Sequence, residues 1–201
     1  MNYLFSPTFY RFVCWILRHS FQHLFTLKVQ GLEYLPAQGP AIICPKHQRW
    51  EDIFVTALAL PPPMHFIAKV ELFRRPFIRE LLLTLGGVPV DRERPRATLS
   101  SFKLLPPLLQ KQAYIVLYPE GTYVPAGVGP GKHRLIQLLL KLQGRNGLKT
   151  LPFVPVGISY HPRSLGYEVQ VKIGPPLSTT DPKQAPLLTQ TLMTQIAHLC
   201  G

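Results

Sequence analysis

The sequence predicts an α/β fold: a single domain with a mostly parallel or mixed central sheet flanked by helices, preceded by an N-terminal amphipathic helix. Three observations carry this. Short β-branched or aromatic runs bounded by Gly or Pro alternate with longer helical patterns from Ala41 onward. The composition, 46% hydrophobic and 16% charged, supplies enough apolar surface for a packed core. The length, 201 residues, fits one domain.

The first element is the N-terminal segment. Its apolar run between Phe5 and Phe25 is broken by Arg11, Arg18, His19, Gln22 and His23. No uncharged stretch approaches the ~20 residues that a spanning helix needs. Wound as a helix, Arg11, Arg18 and Gln22 form one stripe, and Phe9, Val13, Ile16, Leu17, Phe21 and Leu24 occupy the other side. That pattern, with the basic charge, favours a helix lying in a membrane interface over an ordinary helix packed on its own domain. The interfacial reading sets the expected organisation: residues 1–28 as a membrane-associating helix and 29–201 as the α/β domain. The expected location is peripheral or monotopic, on the cytoplasmic face of a membrane.

Beyond it, Ala41–Cys44, His65–Ala68, Val88–Val90, Tyr114–Tyr118, Phe153–Ser159 and Tyr167–Ile173 read as strands. Trp50–Leu60, Pro76–Leu85, Thr98–Leu109, Lys132–Gln143 and Gln184–Leu199 read as helices. In sheets of this kind, ligands sit outside the carboxyl ends of the strands, so the loops that follow strands hold the residues of interest.

Charge narrows the partners. A formal net charge of +12 calls for something anionic: nucleic acid, an acidic membrane surface or a phosphorylated substrate. No nucleic-acid-binding module and no basic stretch interleaved with aromatics is present, so nucleic acid is not an expected partner. Cys14, Cys44 and Cys200 are an odd set without CxxC spacing, so neither a disulfide framework nor a structural zinc site is indicated. No metal is expected.

Three segments carry chemistry. In the first, His47 and Asp52 are five residues apart, about 140° on one continuous helix, so they meet only if His47 lies in the loop and Asp52 in the first helical turn. A carboxylate on one imidazole nitrogen fixes the tautomer and leaves the other nitrogen to take a proton from an alcohol. The second is Gly86-Gly87-Val88-Pro89-Val90-Asp91-Arg92, a glycine turn and short strand ending in a guanidinium suited to phosphate. The third is Tyr118-Pro119-Glu120-Gly121-Thr122, where Gly121 permits close backbone approach and Thr122 adds a hydroxyl. Glu120 cannot meet a phosphate directly. It suits an acceptor that holds Arg92, Lys69 or backbone N–H groups in place.

In this order, with Phe66-Ile67-Ala68-Lys69 and Val154-Pro155-Val156, the segments resemble the glycerolipid acyltransferase family that includes the 1-acylglycerol-3-phosphate acyltransferases. The likeness runs over about residues 30–176, and ordered blocks are more specific than any one of them. The resemblance implies that His47 is the base and Asp52 orients it. It also implies that Arg92, Glu120, Gly121 and Thr122 bind the acceptor's glycerol phosphate, with Lys69 at the phosphate or acyl-donor site. The implied reaction moves a fatty acyl group from a thioester on coenzyme A or acyl carrier protein to 1-acylglycerol-3-phosphate, giving phosphatidate for phospholipid biosynthesis. The thioester is a co-substrate, and no cofactor is implied. Membrane phospholipids, a lysophospholipid acceptor and the thioester carrier are the implied partners.

Two positions depart from the family pattern. Tyr123 stands where an arginine usually follows Pro-Glu-Gly-Thr, and Arg49 stands where a small residue is common. Lys132, with His133 and Arg134, could return positive charge to the phosphate site or simply begin a solvated helix. Tyr123 keeps open a different lysophospholipid or aminolipid acceptor; a catalytically silent lipid-binding relative is a separate alternative, against which the intact His47 and Asp52 argue.

Overall fold

The computed structural model describes residues 4–22, 24–91, 104–145, 147–148 and 150–201. Seven strands form one mixed sheet: β1 (Phe25–Gln30), β2 (Ala41–Pro45), β3 (Met64–Lys69), β4 (Gly87–Val90), β5 (Tyr114–Val116), β6 (Phe153–Pro162) and β7 (Tyr167–Ile173). The helices are α1 (Pro7–Phe21), α2 (Asp52–Ala59), α3 (Pro76–Thr84), α4 (Leu105–Gln110), α5 (His133–Arg145) and α6 (Ala185–Cys200).

Sheet order is β1-β7-β6-β2-β5-β3-β4. The block β6-β2-β5-β3-β4 is parallel throughout. β7 returns antiparallel along β6, and β1 adds parallel to β7. A parallel block must be covered on both faces, and β2 shows why its run is continuously apolar. Ile42 and Cys44 point into a core built with Leu108 and Leu109 of α4, Ile136, Leu139 and Leu140 of α5, and Leu192 and Ile196 of α6. Ala41 and Ile43 point into the opposite core, built with Val55 and Ala59 of α2 and with Val169, Val171 and Ile173 of β7.

The strand and helix expectations agree with these elements to within a few residues, with two exceptions. The expected helix from Thr98 is described only from residue 104, where α4 follows; residues 98–103 lie outside the described residues. The expected N-terminal unit of residues 1–28 is corrected. α1 ends at Phe21, and residues 25–28 belong to the sheet, because Phe25, Leu27 and Val29 alternate inward against the second core while Thr26, Lys28 and Gln30 face water.

α1 begins on Ser6, whose hydroxyl accepts from the Phe9 N–H at 3.2 Å, with Pro7 at the first helical position. It lies outside α2 and buries only Tyr10 fully. Arg18, on the polar stripe, is exposed and donates to the Leu58 carbonyl at 2.9 Å. Phe12, Trp15 and Ile16 are left outward, 53%, 58% and 41% exposed. No helix among the described residues is long and apolar enough to cross a membrane.

Candidate active site

β2, β5 and β6 run parallel, so their carboxyl ends open on one edge of the sheet, and the segment from β2 to α2 lies across it. Asp52 is the first residue of α2 and is fully buried. The chain before it curls so that Gln48 N and Arg49 N donate to its Oδ2 at 2.6 and 2.7 Å. The same oxygen faces His47 Nδ1 at 3.1 Å, as the spacing required. Tyr160, at the end of β6, donates its hydroxyl to Oδ1 at 2.7 Å. Four donors therefore converge on one carboxylate. With its Nδ1 proton directed at Asp52, the imidazole presents Nε2 as its lone-pair nitrogen.

Rings fix the imidazole plane. His47 stacks on Tyr118 with centroids 4.0 Å apart and meets Tyr123 at 4.4 Å. Its side chain is 12% exposed, so proton transfer would occur at a nearly dry nitrogen. Burial, reinforced by the charge of Asp52, pushes the Tyr160 hydroxyl far above the ordinary tyrosine range, so it stays a donor. Tyr118, whose hydroxyl lies 3.2 Å from Thr56 Oγ1, is pushed up by the same burial.

Beneath the pair lies a buried ion pair. Lys46 Nζ sits 2.9 and 3.1 Å from the two Glu120 oxygens, and both side chains are almost wholly inaccessible. Nζ also donates to the Val124 carbonyl at 2.7 Å. Glu120 accepts from His47 N and Gly129 N, each at 2.8 Å. Glu120 thus does hold a cation and backbone N–H groups, but the cation is Lys46. Lys69, at the end of β3, is exposed and makes no side-chain hydrogen bond or ion pair among the described residues. The physical reason is depth: Lys46 is buried beside Glu120, whereas Lys69 is exposed at the end of β3.

Gly121 takes a left-handed φ of +68°, and Lys132 crosses it so closely that a Cβ there would lie 2.9 Å from Lys132 Cδ. The Lys132 N–H donates to the Pro119 carbonyl at 2.8 Å, which sets that lysine beside the Pro-Glu-Gly-Thr turn. Thr122 is exposed on the same turn, and Tyr123 is half exposed against His47. The structure therefore gathers His47, Asp52, Glu120, Gly121, Thr122 and Lys132 into one neighbourhood, with Lys69 on the same sheet edge. Arg92 lies outside the described residues.

Sequence reasoning missed Lys46, Tyr118 and Tyr160. A lysine directly after a buried strand was a usable signal, because such a cation needs a partner. Tyr160 gave none, since its contact with Asp52 depends on β6 lying beside β2. Arg49 stacks over Tyr167 and Tyr160, its guanidinium carbon 4.7 and 5.1 Å from their centroids, and faces Glu51 at 3.7 Å. Beside Glu51 a cavity of about 270 Å³ opens between α1, β1 and α2, walled by Phe21, Phe25, Leu27, Phe54 and Leu58. No group of three or more His, Cys, Asp or Glu among the described residues could hold a metal ion.

At the carboxyl edge of the α/β sheet, then, sits a His-Asp pair whose imidazole and carboxylate are hydrogen-bonded to no Ser, Thr or Cys side chain among the described residues. The acyltransferase family matches residues 26–159, well over half of the sequence, and the chain belongs to that family. It is similar to the 1-acyl-sn-glycerol-3-phosphate acyltransferase of Pseudomonas aeruginosa, 32% identical over 155 residues, covering 74% of this chain and 58% of the relative. The protein of that name from Bacillus subtilis is 35% identical over 97 residues, 48% of each chain. The chloroplastic one from Arabidopsis thaliana is 35% identical over 104 residues, covering 51% of this chain and 29% of the relative. The chain thus spans between 29% and 58% of the length of these curated relatives. Among solved structures, the 1-acyl-sn-glycerophosphate acyltransferase of Thermotoga maritima shares the fold, with a TM-score of 0.68 at 20% identity over 94% of this chain and 79% of that one.

Proposed function

We propose that this protein transfers a fatty acyl group from an acyl thioester to the hydroxyl of 1-acylglycerol-3-phosphate, giving phosphatidate, at a membrane surface. The observation that carries the proposal is the Asp52-held imidazole, in a chain whose relatives bear that activity in their names. His47 Nε2 takes the acceptor's hydroxyl proton as the oxygen attacks the thioester carbonyl. The C–S bond then breaks, and the thiolate of coenzyme A or acyl carrier protein recovers the proton from the imidazolium. Asp52 stabilises that imidazolium, and its buried donors keep it from turning away.

Glu120 acts from below, holding the His47 backbone rather than meeting the acceptor. The acceptor's phosphate is assigned to Gly121, Thr122 and Lys132, which lie beside His47, and to Lys69 and Arg92 on the family resemblance alone. The apolar cavity beside Glu51 suits an acyl chain, being walled by phenylalanines and leucines. The outward Phe12, Trp15 and Ile16 of α1 suit insertion into the cytoplasmic face of a membrane.

Purified protein assayed with acyl-coenzyme A or acyl carrier protein against a panel of lysolipids tests the reading by product identity. His47→Ala should lose on the order of 10²–10⁴ in turnover while keeping its circular dichroism. Near-normal turnover by folded His47→Ala, or phosphatidate absent from the products of the parent, defeats it. A second reading, with another lysophospholipid or an aminolipid as acceptor, is favoured by Tyr123, which packs its ring on His47 and brings no charge. Arg92→Ala distinguishes the two. It should raise KM selectively for a phosphorylated acceptor under the first and affect all acceptors alike under the second.

A further inference from the structure

α3 turns most of its surface to water. Only Leu83 of the helix is buried, while Phe77, Ile78 and Leu81 stand 82%, 40% and 39% exposed, with Leu72 of the preceding turn at 52%. Phe77, Ile78 and Leu81 share one helical face. Single exposed apolar side chains are ordinary, but four within residues 72–81 form a patch, and patches of this kind mark contact surfaces.

The polar residues around the patch are mainly cationic. Arg74 and Arg75, at the N-terminal end of the face, are exposed, and neither takes part in an ion pair among the described residues. With exposed Lys69 they outnumber the acidic Glu71 and Glu80. Long arginine side chains can lay their stems along an apolar surface and hold their heads at anionic groups, while a phenylalanine beside them inserts.

Position completes the argument. β3 is parallel to β5, and β5 to β2, so Leu72 and the start of α3 follow a strand end on the edge where His47 and Glu120 lie. At its other end α3 meets the N-terminal segment, where Ser6 N donates to the Thr84 carbonyl at 3.1 Å. The outward stripe of α1 and the outward face of α3 thus belong to elements joined end to end.

We propose that the face of α3 formed by Phe77, Ile78 and Leu81, with Leu72 before it and Arg74 and Arg75 at its N-terminal end, rests on an anionic phospholipid bilayer as a second contact beside α1. This rests on the proposal that the chain works at a membrane. It adds which lipid charge is read and which element reads it. Two contacts also limit rotation, and so present one edge of the sheet to the bilayer.

The test is co-sedimentation of the full chain with phosphatidylcholine vesicles, with and without phosphatidylglycerol. Parent is compared with an apolar variant (Phe77→Ser, Ile78→Ser, Leu81→Ser), a charge variant (Arg74→Gln, Arg75→Gln) and an α1 variant (Phe12→Ser, Trp15→Ser, Ile16→Ser). All positions are exposed, and matched thermal unfolding verifies each fold. The charge variant should lose about fivefold per arginine on anionic vesicles and little on neutral ones. The apolar variant should lose binding to both. Parental binding by both α3 variants, with loss confined to the α1 variant, overturns this inference and leaves the membrane proposal standing. A parent that binds neither vesicle overturns both. If the α3 variants change only self-association in sedimentation equilibrium, the face is a contact between copies, and the lipid assignment is wrong.

Discussion

The two oxygens of Asp52 are loaded unequally. Gln48 N, Arg49 N and His47 Nδ1 meet Oδ2, and among the described residues only Tyr160 meets Oδ1. Tyr160 touches no reacting atom in the proposed chemistry and acts through the carboxylate. Tyr160→Phe should therefore lower kcat about tenfold with KM unchanged, and destabilise the fold by ~1–3 kcal/mol, the usual worth of a hydrogen bond to a charged group. Steady-state kinetics and urea titration check both. Equal changes in kcat and KM would point to a binding role instead. Lys46 and Glu120 pose the opposite problem, a charge pair with water shut out. Lys46→Met strands a carboxylate in the interior and should cost ~3–5 kcal/mol, whereas Lys46→Met with Glu120→Gln should recover part of that loss. Denaturant midpoints of the two variants measure the difference.

At the level of elements, the sequence announced the parallel block clearly, because strands buried on both faces read as unbroken apolar runs, as Ala41–Pro45 does. It hid β1, whose alternation Phe25, Leu27, Val29 directly follows a helix of similar composition and was absorbed into that helix. The local half of the site was legible, since His47 and Asp52 lie five residues apart across one loop. The other half was not, because Tyr160 and Glu120 reach the pair only through strand order. One contact between elements invites a direct test. Gly157 of β6 lies against the end of α6, and a Cβ there would come within 2.6 Å of the Leu199 carbonyl carbon. Backbone cannot yield as a side-chain tip does. Gly157→Ala should push α6 off the sheet, loosen the Ser159 Oγ to Cys200 O bond of 2.8 Å, and lower stability by ~1–3 kcal/mol. Thermal unfolding reads this, and a Tm within a degree or so of the parent would contradict the packing.

Across the whole molecule, pH acts through His65. Burial lowers its pKa to about 4, with the Lys111 charge adding to the effect and a hydrogen bond with the Gly86 backbone opposing it. In the unfolded chain the group titrates near 6.5, so between those values the unfolded state binds the extra proton and stability rises with pH. The contribution is whole above ~6.5, declines on acidification, and levels off below ~4, for a total of ~3 kcal/mol. His65→Gln should flatten that part of the pH–stability curve, which urea titrations at several pH values resolve. The sheet order has a further consequence, for the timing of synthesis. β1 pairs with β7 alone, and contacts such as Arg163 Nη1 to Thr26 Oγ1 bridge a separation of 137 residues. As the chain leaves the ribosome, β1 emerges well before β7 and waits for it while the intervening strands are made. Non-local pairing of this kind folds late. The loop holding His47 and Asp52 is also made early, but Tyr160 lies 108 residues beyond Asp52. A nascent chain therefore carries the pair long before Tyr160 can meet Oδ1, and the carboxylate gains that donor only once β6 has been made.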